Sequence, residues 1–124
     1  MAEYKAKLFK NGGGKNTIIF SETEQAIGEW IDGSTLYEKT IDCGALPSGS
    51  PKSVAHNINN INKVVEIKNI AIRDDEEVFR IFESFGSSGL IVSYVTKTNV
   101  TISAPSGSNV YDECYVIIRY TKTV

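Results

Sequence analysis

Apolar and polar residues alternate with a period of two in short runs along most of this chain. The clearest run is 113–123, in which every second residue is apolar: Cys114, Val116, Ile118 and Tyr120. Because successive side chains of a strand point to opposite faces, this run predicts a strand with one buried face. Polar residues replace apolar ones on the other face towards the end of the run, so we expect the strand to become solvent-exposed there.

An Asp-Gly pair predicts a hairpin in the first third of the chain. Both central residues of a type I′ turn need positive φ, and Asp32-Gly33 is a favourable pair for it. Pairing across a two-residue turn places Trp30 opposite Thr35 and leaves Gly28 opposite Tyr37. Trp30 and Tyr37 then lie diagonally on one face, where they form an aromatic anchor for the sheet.

Further short runs rich in Val, Ile, Thr, Tyr and Phe are separated by Gly, Asn, Ser, Pro and Asp. The other predicted strands are 4–9, 17–20, 54–58, 63–73 with a bulge near Asn69, 78–85, and a hairpin of 90–96 with 100–104. Apolar residues also recur at helical spacing in 78–85, where the aromatic content makes us favour a strand or an irregular segment over a helix. At 21–24 a capping-box pattern predicts one helical turn at most. About eight short strands favour an all-β fold, an antiparallel, jelly-roll-like β-sandwich in a single domain.

Composition excludes several classes of protein. The 124 residues fit one domain with one core, and 41% hydrophobic with 23% charged residues is ordinary globular usage. A net charge of -2 offers no positive field for phosphates, so we expect no nucleic-acid partner. No apolar run approaches the roughly 20 residues of a membrane span, and the first residues lack the pattern of a signal peptide. We therefore expect no membrane insertion, and synthesis in the cytoplasm.

The residues that most often carry chemistry are few. Cys43 and Cys114 are the two cysteines; strands could bring them together, but nothing local requires a disulfide. His56 is the sole histidine, and we interpret it as a hydrogen-bonded structural residue at a strand end, not as a general base. A zinc site would need further ligands at suitable spacing. We predict no catalytic residue, no metal site and no cofactor.

An acidic run, Asp74 to Glu77, could bind calcium, carry paired carboxylates for glycoside hydrolysis or form a solvated tip, and the sequence has no spaced Asp/Asn/Gly calcium loop. Paired carboxylates serve glycoside hydrolysis when they face each other about 5 to 9 Å apart across a groove. Adjacent residues of a strand or turn point apart, which favours a solvated tip. A small glycosidase is therefore the weakest functional hypothesis.

Exposed tyrosines near loops are the remaining candidates for a ligand site. Surfaces that bind sugars combine aromatic faces with amide and carboxylate groups, and Tyr94, Asn99 and Tyr111 lie in or near loop-flanked segments. The alternative is that these rings pack in the core or at its rim.

Four blocks of sequence, in order, resemble a module of tail-fibre and minor structural proteins from bacteriophages and prophages, often of Gram-positive hosts. The blocks are SETEQAIGEWIDGSTLYEKTI at 21–41, GALP at 44–47, KSVAHNI at 52–58 and YVIIRYTKT at 115–123. The chain departs from the pattern at Ser34-Thr35, where Lys-Pro is usual, and in 74–88.

The resemblance implies a virion building block without catalytic chemistry, whose loops are presented to a host-surface glycan. Other virion proteins are the implied partners, the virion is the implied location, and fibre modules of this kind are commonly homo-trimers. We expect 21–124 to be the module and 1–20 to be a leader strand or attachment segment. The alternative from another class is a cell-encoded carbohydrate-binding module, which a gene neighbourhood of glycosidases would favour over one of tail genes.

Overall fold

The computed structural model describes residues 19–75, 78–81 and 91–123 of the chain. The strands in this part are β1 (Gln25–Glu29), β2 (Thr35–Gly44), β3 (Lys52–Ala55), β4 (Ile61–Asp75), β5 (Val78–Ile81), β6 (Val92–Val95), β7 (Asn99–Ser103) and β8 (Glu113–Lys122). A 3-10 turn, Ser108–Val110, precedes β8. The all-β prediction is confirmed. The predictions for 4–9, most of 17–20 and 82–85 lie outside the described residues.

The strands form two antiparallel sheets that pack face to face. The larger sheet has the order β1-β2-β8-β4-β5, and the smaller has the order β3-β7-β6. Strand β8 lies at the centre of the larger sheet and is hydrogen-bonded to β2 on one side and to β4 on the other. The two sheets enclose one hydrophobic core, so the prediction of a β-sandwich is confirmed.

The core contains the face of β8 that the alternating pattern predicts. All four of its apolar residues are fully buried: Cys114, Val116, Ile118 and Tyr120. Opposite them, β7 contributes Val100 and Ile102, which are also fully buried. The prediction that β8 becomes exposed towards its end is wrong, since Thr121 is 0% exposed. Strand β8 stays paired with β4 as far as Lys122, so neighbouring strands cover the polar end as well.

The Asp32-Gly33 hairpin forms, but its turn and its register differ from the prediction. Only Gly33 of this pair has positive φ, at 87°. The Asp32 carboxylate accepts a hydrogen bond from the Ser34 backbone N–H at 2.9 Å, and Trp30 N–H donates to Ser34 at 2.8 Å. These bonds close a three-residue loop instead of a type I′ turn, so Glu29 lies opposite Thr35.

The predicted aromatic anchor is also wrong in its partners. A bulge between Ala26 and Gly28 shifts the register again and puts Ala26 opposite Tyr37. Trp30 is half-buried and lies outside the core, at the edge of the loop. Tyr37 instead stacks on Tyr120 of β8, with ring centroids 5.9 Å apart and an interplanar angle of 21°.

Several boundaries differ from the sequence-based expectation. Strand β4 has its bulges at 61–63 and 64–66, whereas Asn69 stays in register opposite Val116. The Asn69 side chain accepts a hydrogen bond from the Ser93 hydroxyl at 2.6 Å, which ties the two sheets together there. Strand β3 covers 52–55 instead of 54–58, because the chain leaves it at His56 and turns at Asn57, which has φ 55°. The expected helical turn at 21–24 is a bend.

Candidate functional site

The outer face of the smaller sheet forms a flat surface with one projecting ring. Seven residues point outward from β3, β6 and β7: Ser53, Ala55, Val92, Tyr94, Asn99, Thr101 and Ser103. We call this surface the Tyr94 platform. Tyr94 is 54% exposed, and so is Val92 beside it. The other members are short or lie low in the sheet, so the Tyr94 ring stands clear of its neighbours.

Strand periodicity explains why these residues share a face. Tyr94 pairs with Thr101, and Thr101 pairs in turn with Ser53 on the other side of β7. The residues between them in sequence, such as Val54, Val95 and Val100, pack into the core. The Ser53 and Thr101 hydroxyls lie 3.0 Å apart and satisfy each other, which leaves Thr101 only 6% exposed beneath the ring.

Two of the three predicted ligand residues, Tyr94 and Asn99, lie together on this platform. Thr96 pairs with Asn99 across the β6–β7 turn, through a backbone hydrogen bond of 2.8 Å from Thr96 N–H, so Asn99 sits diagonally from Tyr94. Within the described part of the chain, neither the Tyr94 hydroxyl nor the Asn99 side-chain amide makes a hydrogen bond. A donor-acceptor amide and a hydroxyl are therefore available next to an exposed ring.

The third predicted residue, Tyr111, lies elsewhere and does not join the platform. Its ring is 6% exposed and belongs to the core. Its backbone carbonyl accepts a hydrogen bond from Leu46 N–H at 3.0 Å, and its own N–H donates to Ser108. The 3-10 turn before β8 thus directs Tyr111 inward, in agreement with the packing interpretation of this ring.

His56 holds the end of the platform in place. It is 1% exposed, and its Nδ1 accepts a hydrogen bond from Ile58 N–H at 3.0 Å. Nε2 therefore carries the proton and donates to the Thr96 carbonyl at 2.9 Å. The His56 N–H also donates to the Thr98 carbonyl, and the Lys39 ammonium donates to the His56 carbonyl. Both ring nitrogens bond to backbone, so His56 fixes the β6–β7 turn to β3.

The outer face of the larger sheet is built differently. A depression of about 330 Å³ lies there, lined mainly by apolar residues: Phe20, Glu22, Thr40, Ile70, Ile72, Tyr115 and Ile117. Phe20 is 59% exposed at its rim. The Thr40 hydroxyl is buried and has no hydrogen-bond partner among the residues the structure describes.

Carboxylates on and near the larger sheet are held by cations. Glu38, 7% exposed, accepts a hydrogen bond from Arg119 Nε at 2.9 Å, and Arg119 also pairs with Glu66 at 3.3 Å. Glu24 accepts hydrogen bonds from the Tyr120 hydroxyl at 2.6 Å and from the Lys122 ammonium at 3.0 Å.

Those contacts determine how Glu24 titrates. Partial burial opposes ionisation of Glu24, but the hydrogen bonds from Tyr120 and Lys122, with the charge of Lys122, outweigh it and hold the pKa below 4.5. Burial, followed by the hydrogen bond to Glu24, raises the pKa of Tyr120. A glycosidase acid needs a raised carboxyl pKa, and Glu24 has the opposite shift.

The two cysteines meet in the core as free thiols. Cys43 is 2% exposed at a bulge of β2, and Cys114 is 0% exposed on the neighbouring β8. The hydrogen bond to Cys43 and burial both raise the pKa of Cys114. The same hydrogen bond lowers the pKa of Cys43. Both residues act here as small apolar side chains, because neither thiol reaches solvent.

Other types of site find little basis in 19–75, 78–81 and 91–123. No group of three or more His, Cys, Asp or Glu in these ranges is placed to hold a metal ion. No helix in them has the length and apolar character that crossing a membrane requires. Asp74 and Asp75 end β4 at its hairpin with β5, and their side chains lie outside the description. Comparisons with protein-family models, with curated proteins and with solved structures found no match.

Proposed function

We propose that this chain is a non-enzymatic bacteriophage virion module, of a tail fibre or baseplate appendage, that binds a host-surface glycan through the Tyr94 platform. The class of protein rests on the resemblance of the four sequence blocks. The binding role rests on one observation, the 54% exposed ring of Tyr94 on a flat face beside the unengaged Asn99 amide. An exposed aromatic ring beside a free amide offers a ligand both apolar area and hydrogen bonds.

The platform suits a pyranose ring in size and chemistry. One face of a pyranose carries C–H groups, which pack against the apolar, electron-rich face of Tyr94. The sugar hydroxyls both donate and accept hydrogen bonds, as do the Asn99 amide and the Ser103 hydroxyl. A single ring buries little area, so we expect weak binding at each platform and a gain in avidity when several copies bind together.

The binding role can be tested by measuring the binding of the purified protein to a glycan array and to host cells. We expect Tyr94→Ala to lose binding at least about tenfold, as hot-spot aromatic residues do. Ile31→Ala is the control, because Ile31 is an 89% exposed apolar residue in the β1–β2 loop, outside both the Tyr94 platform and the apolar depression of the larger sheet. Equal binding by wild type and Tyr94→Ala would exclude the platform as the glycan site.

We further propose that the module assembles as a homo-trimer through the outer face of the larger sheet, where Phe20 and the apolar depression lie. A contact between copies would bury the exposed Phe20 ring and the isoleucines beside it. Light scattering is expected to give three times the mass of one chain. A mass of one chain at all concentrations tested would contradict this part and leave the binding role standing.

The alternative of a cell-encoded carbohydrate-binding module uses the same platform and differs only in genetic context. Tail genes next to the coding sequence would support the virion proposal, and glycosidase genes would support the alternative. The small glycosidase gains no support from Glu24 and Glu38, since Tyr120, Lys122 and Arg119 bind their carboxylates.

A further inference from the structure

The Tyr94 platform is uncharged at every outward position. Strands β3, β6 and β7 present only hydroxyl, amide, methyl and aromatic groups there: Ser53, Ala55, Val92, Tyr94, Asn99, Thr101 and Ser103. The one charged residue of β3 and β7, Lys52, points the other way and donates its ammonium to the Ala45 carbonyl at 2.9 Å. The outer face of the larger sheet differs in charge, because Arg119 forms ion pairs there with Glu38 and Glu66.

From this neutrality we infer that the platform selects uncharged pyranoses and discriminates against anionic ones such as uronic acids. The inference rests on the proposed glycan-binding function and names the class of sugar that the same site takes. Its basis is the composition of the face together with the placement of the Tyr94 ring above it.

An anionic sugar would be disfavoured for two reasons. A carboxylate brought against the platform loses water, and no cation at the outward positions replaces those interactions. The face of the Tyr94 ring also carries the negative part of its quadrupole, which repels an anion placed over it. The chain as a whole has a net charge of -2, so its long-range field does not attract anions either.

An uncharged pyranose meets neither obstacle. Its C–H face covers the ring, and its hydroxyls reach groups that can act as donor or acceptor. The Thr101 and Ser53 hydroxyls already bond to each other at 3.0 Å, so the groups left for a sugar are those of Tyr94, Asn99 and Ser103. All three are neutral, and a neutral partner leaves no unpaired charge when water is excluded.

Lys97 is the charged residue nearest in sequence to Tyr94 and Asn99, and it lies at the exposed tip of the β6–β7 turn. If an anion bound beside the platform, this ammonium would be its natural partner. Removal of Lys97 therefore separates binding on the neutral face from binding at the tip, and we expect neutral sugars to bind Lys97→Ala as they bind wild type.

In the decisive experiment, the purified full chain is titrated with matched oligosaccharides. Calorimetry measures the affinity, and the NMR signals of Tyr94 show whether its ring is in contact with the sugar. The neutral ligands are oligomers of glucose, galactose and N-acetylglucosamine. Each hexose oligomer is compared with the oligomer of its uronic acid, which has equal length and carries a carboxylate at C6. We expect at least one neutral oligomer to bind, its uronic counterpart to bind about tenfold or more weakly, and Tyr94→Ala to abolish both.

A gain-of-function variant tests the same cause from the other side. Ser103→Lys places an ammonium on the platform opposite Val92 and should narrow or reverse the preference for neutral over uronic oligomers. Folding of each variant is checked by its dichroism spectrum.

The outcomes separate the inference from the function on which it rests. Uronic oligomers that bind as tightly as neutral ones, in a manner that depends on Tyr94, would overturn the selectivity and keep the glycan site. Binding of no oligomer to the wild type, with Tyr94 signals unperturbed, would overturn both.

Discussion

The outer faces of the two sheets differ in how their side chains are engaged. On the larger sheet, charged residues pair with each other, as Arg119 does with Glu38 and Glu66, and apolar residues gather in one depression. On the smaller sheet no outward residue is charged, and Tyr94 stands 54% exposed. The larger sheet pairs Arg119 with carboxylates on its outer face, whereas the smaller sheet leaves the Tyr94 ring and hydroxyl and the Asn99 amide without partners among the described residues.

This difference indicates that the two faces serve different ends. On the larger sheet, the ion pairs of Arg119 engage its charged groups within the fold. A face with unengaged neutral groups gains nothing for the fold from them, since water already solvates them. The free groups of the Tyr94 platform therefore add little to the stability of the fold and are accessible to the ligand that we propose.

The largest expected effect compares two neighbouring residues of β8. Ile118 is 0% exposed between the sheets, and Ile117 is 5% exposed on the outer face of the larger sheet. We expect Ile118→Ala to lower the free energy of unfolding by about 4 kcal/mol, and Ile117→Ala by only about 2 kcal/mol, because the depression beside Ile117 lets its neighbours relax into the gap. Urea denaturation followed by Trp30 fluorescence measures both. Equal losses would mean that the outer face is packed as tightly as the core.

The next effect tests the ion pairs of the larger sheet. Arg119→Met leaves the 7% exposed Glu38 without its cation, and we expect a loss of about 1 to 2 kcal/mol in the free energy of unfolding. Arg119 itself is 43% exposed in its side chain, which keeps the value below that of a fully buried pair. The double variant Arg119→Met with Glu38→Gln should recover part of the loss. Recovery of none of it would show that packing, not charge, is responsible.

A smaller effect depends on pH and concerns Glu24. Its pKa is lowered in the folded chain, so the unfolded chain binds the proton first as the pH falls. Ionised Glu24 therefore makes its full contribution to the free energy of unfolding above pH 4.5. That contribution should be lost as the pH falls below 4.5 through the folded-state pKa. Glu24→Gln should flatten this acid limb, measured by urea denaturation at several pH values. Glu29→Gln, at an exposed carboxylate of β1, is the control and should leave the limb unchanged.

The smallest expected effect on stability is at the platform. Tyr94→Ala should change the free energy of unfolding by about 0.5 kcal/mol or less, since the ring is half-exposed and packs only on Thr101 and its neighbours. Thermal denaturation of this variant beside Ile31→Ala checks it. A loss above about 2 kcal/mol would place Tyr94 in the structural class of Tyr120 and remove the contrast between the faces.

Period-two patterning was sufficient to predict the face on which a residue lies where that face depends on one strand alone. It predicted the buried face of β8, because alternation alone sets which side of a strand a residue takes. It failed where two strands decide together. The hydrogen bond from Ser34 N–H to the Asp32 carboxylate accompanies a three-residue loop in place of the two-residue type I′ turn, and the bulge in β1 shifts the register further. Both changes move Trp30 from its expected place.

Positions after turns were likewise beyond the pattern. Tyr111 follows a 3-10 turn that no alternation describes, and the turn rotates its ring into the core. The absence of charge from the platform could not be predicted from the sequence, because it depends on the register that places Ser53 and Ser103 on the same side as Tyr94.

The central position of β8 has a consequence for how the chain is made. The β1–β2 hairpin closes from local residues, but the edge of β2 that meets β8 waits for partners such as Arg119, which is 81 residues beyond Glu38. A nascent chain on the ribosome therefore carries unsatisfied strand edges until Glu113 and the residues after it emerge, and such edges recruit other chains. We expect folding to be late and slow relative to synthesis, as for other sheets that close through distant segments. Chains interrupted before β8 should aggregate instead of forming half a sandwich.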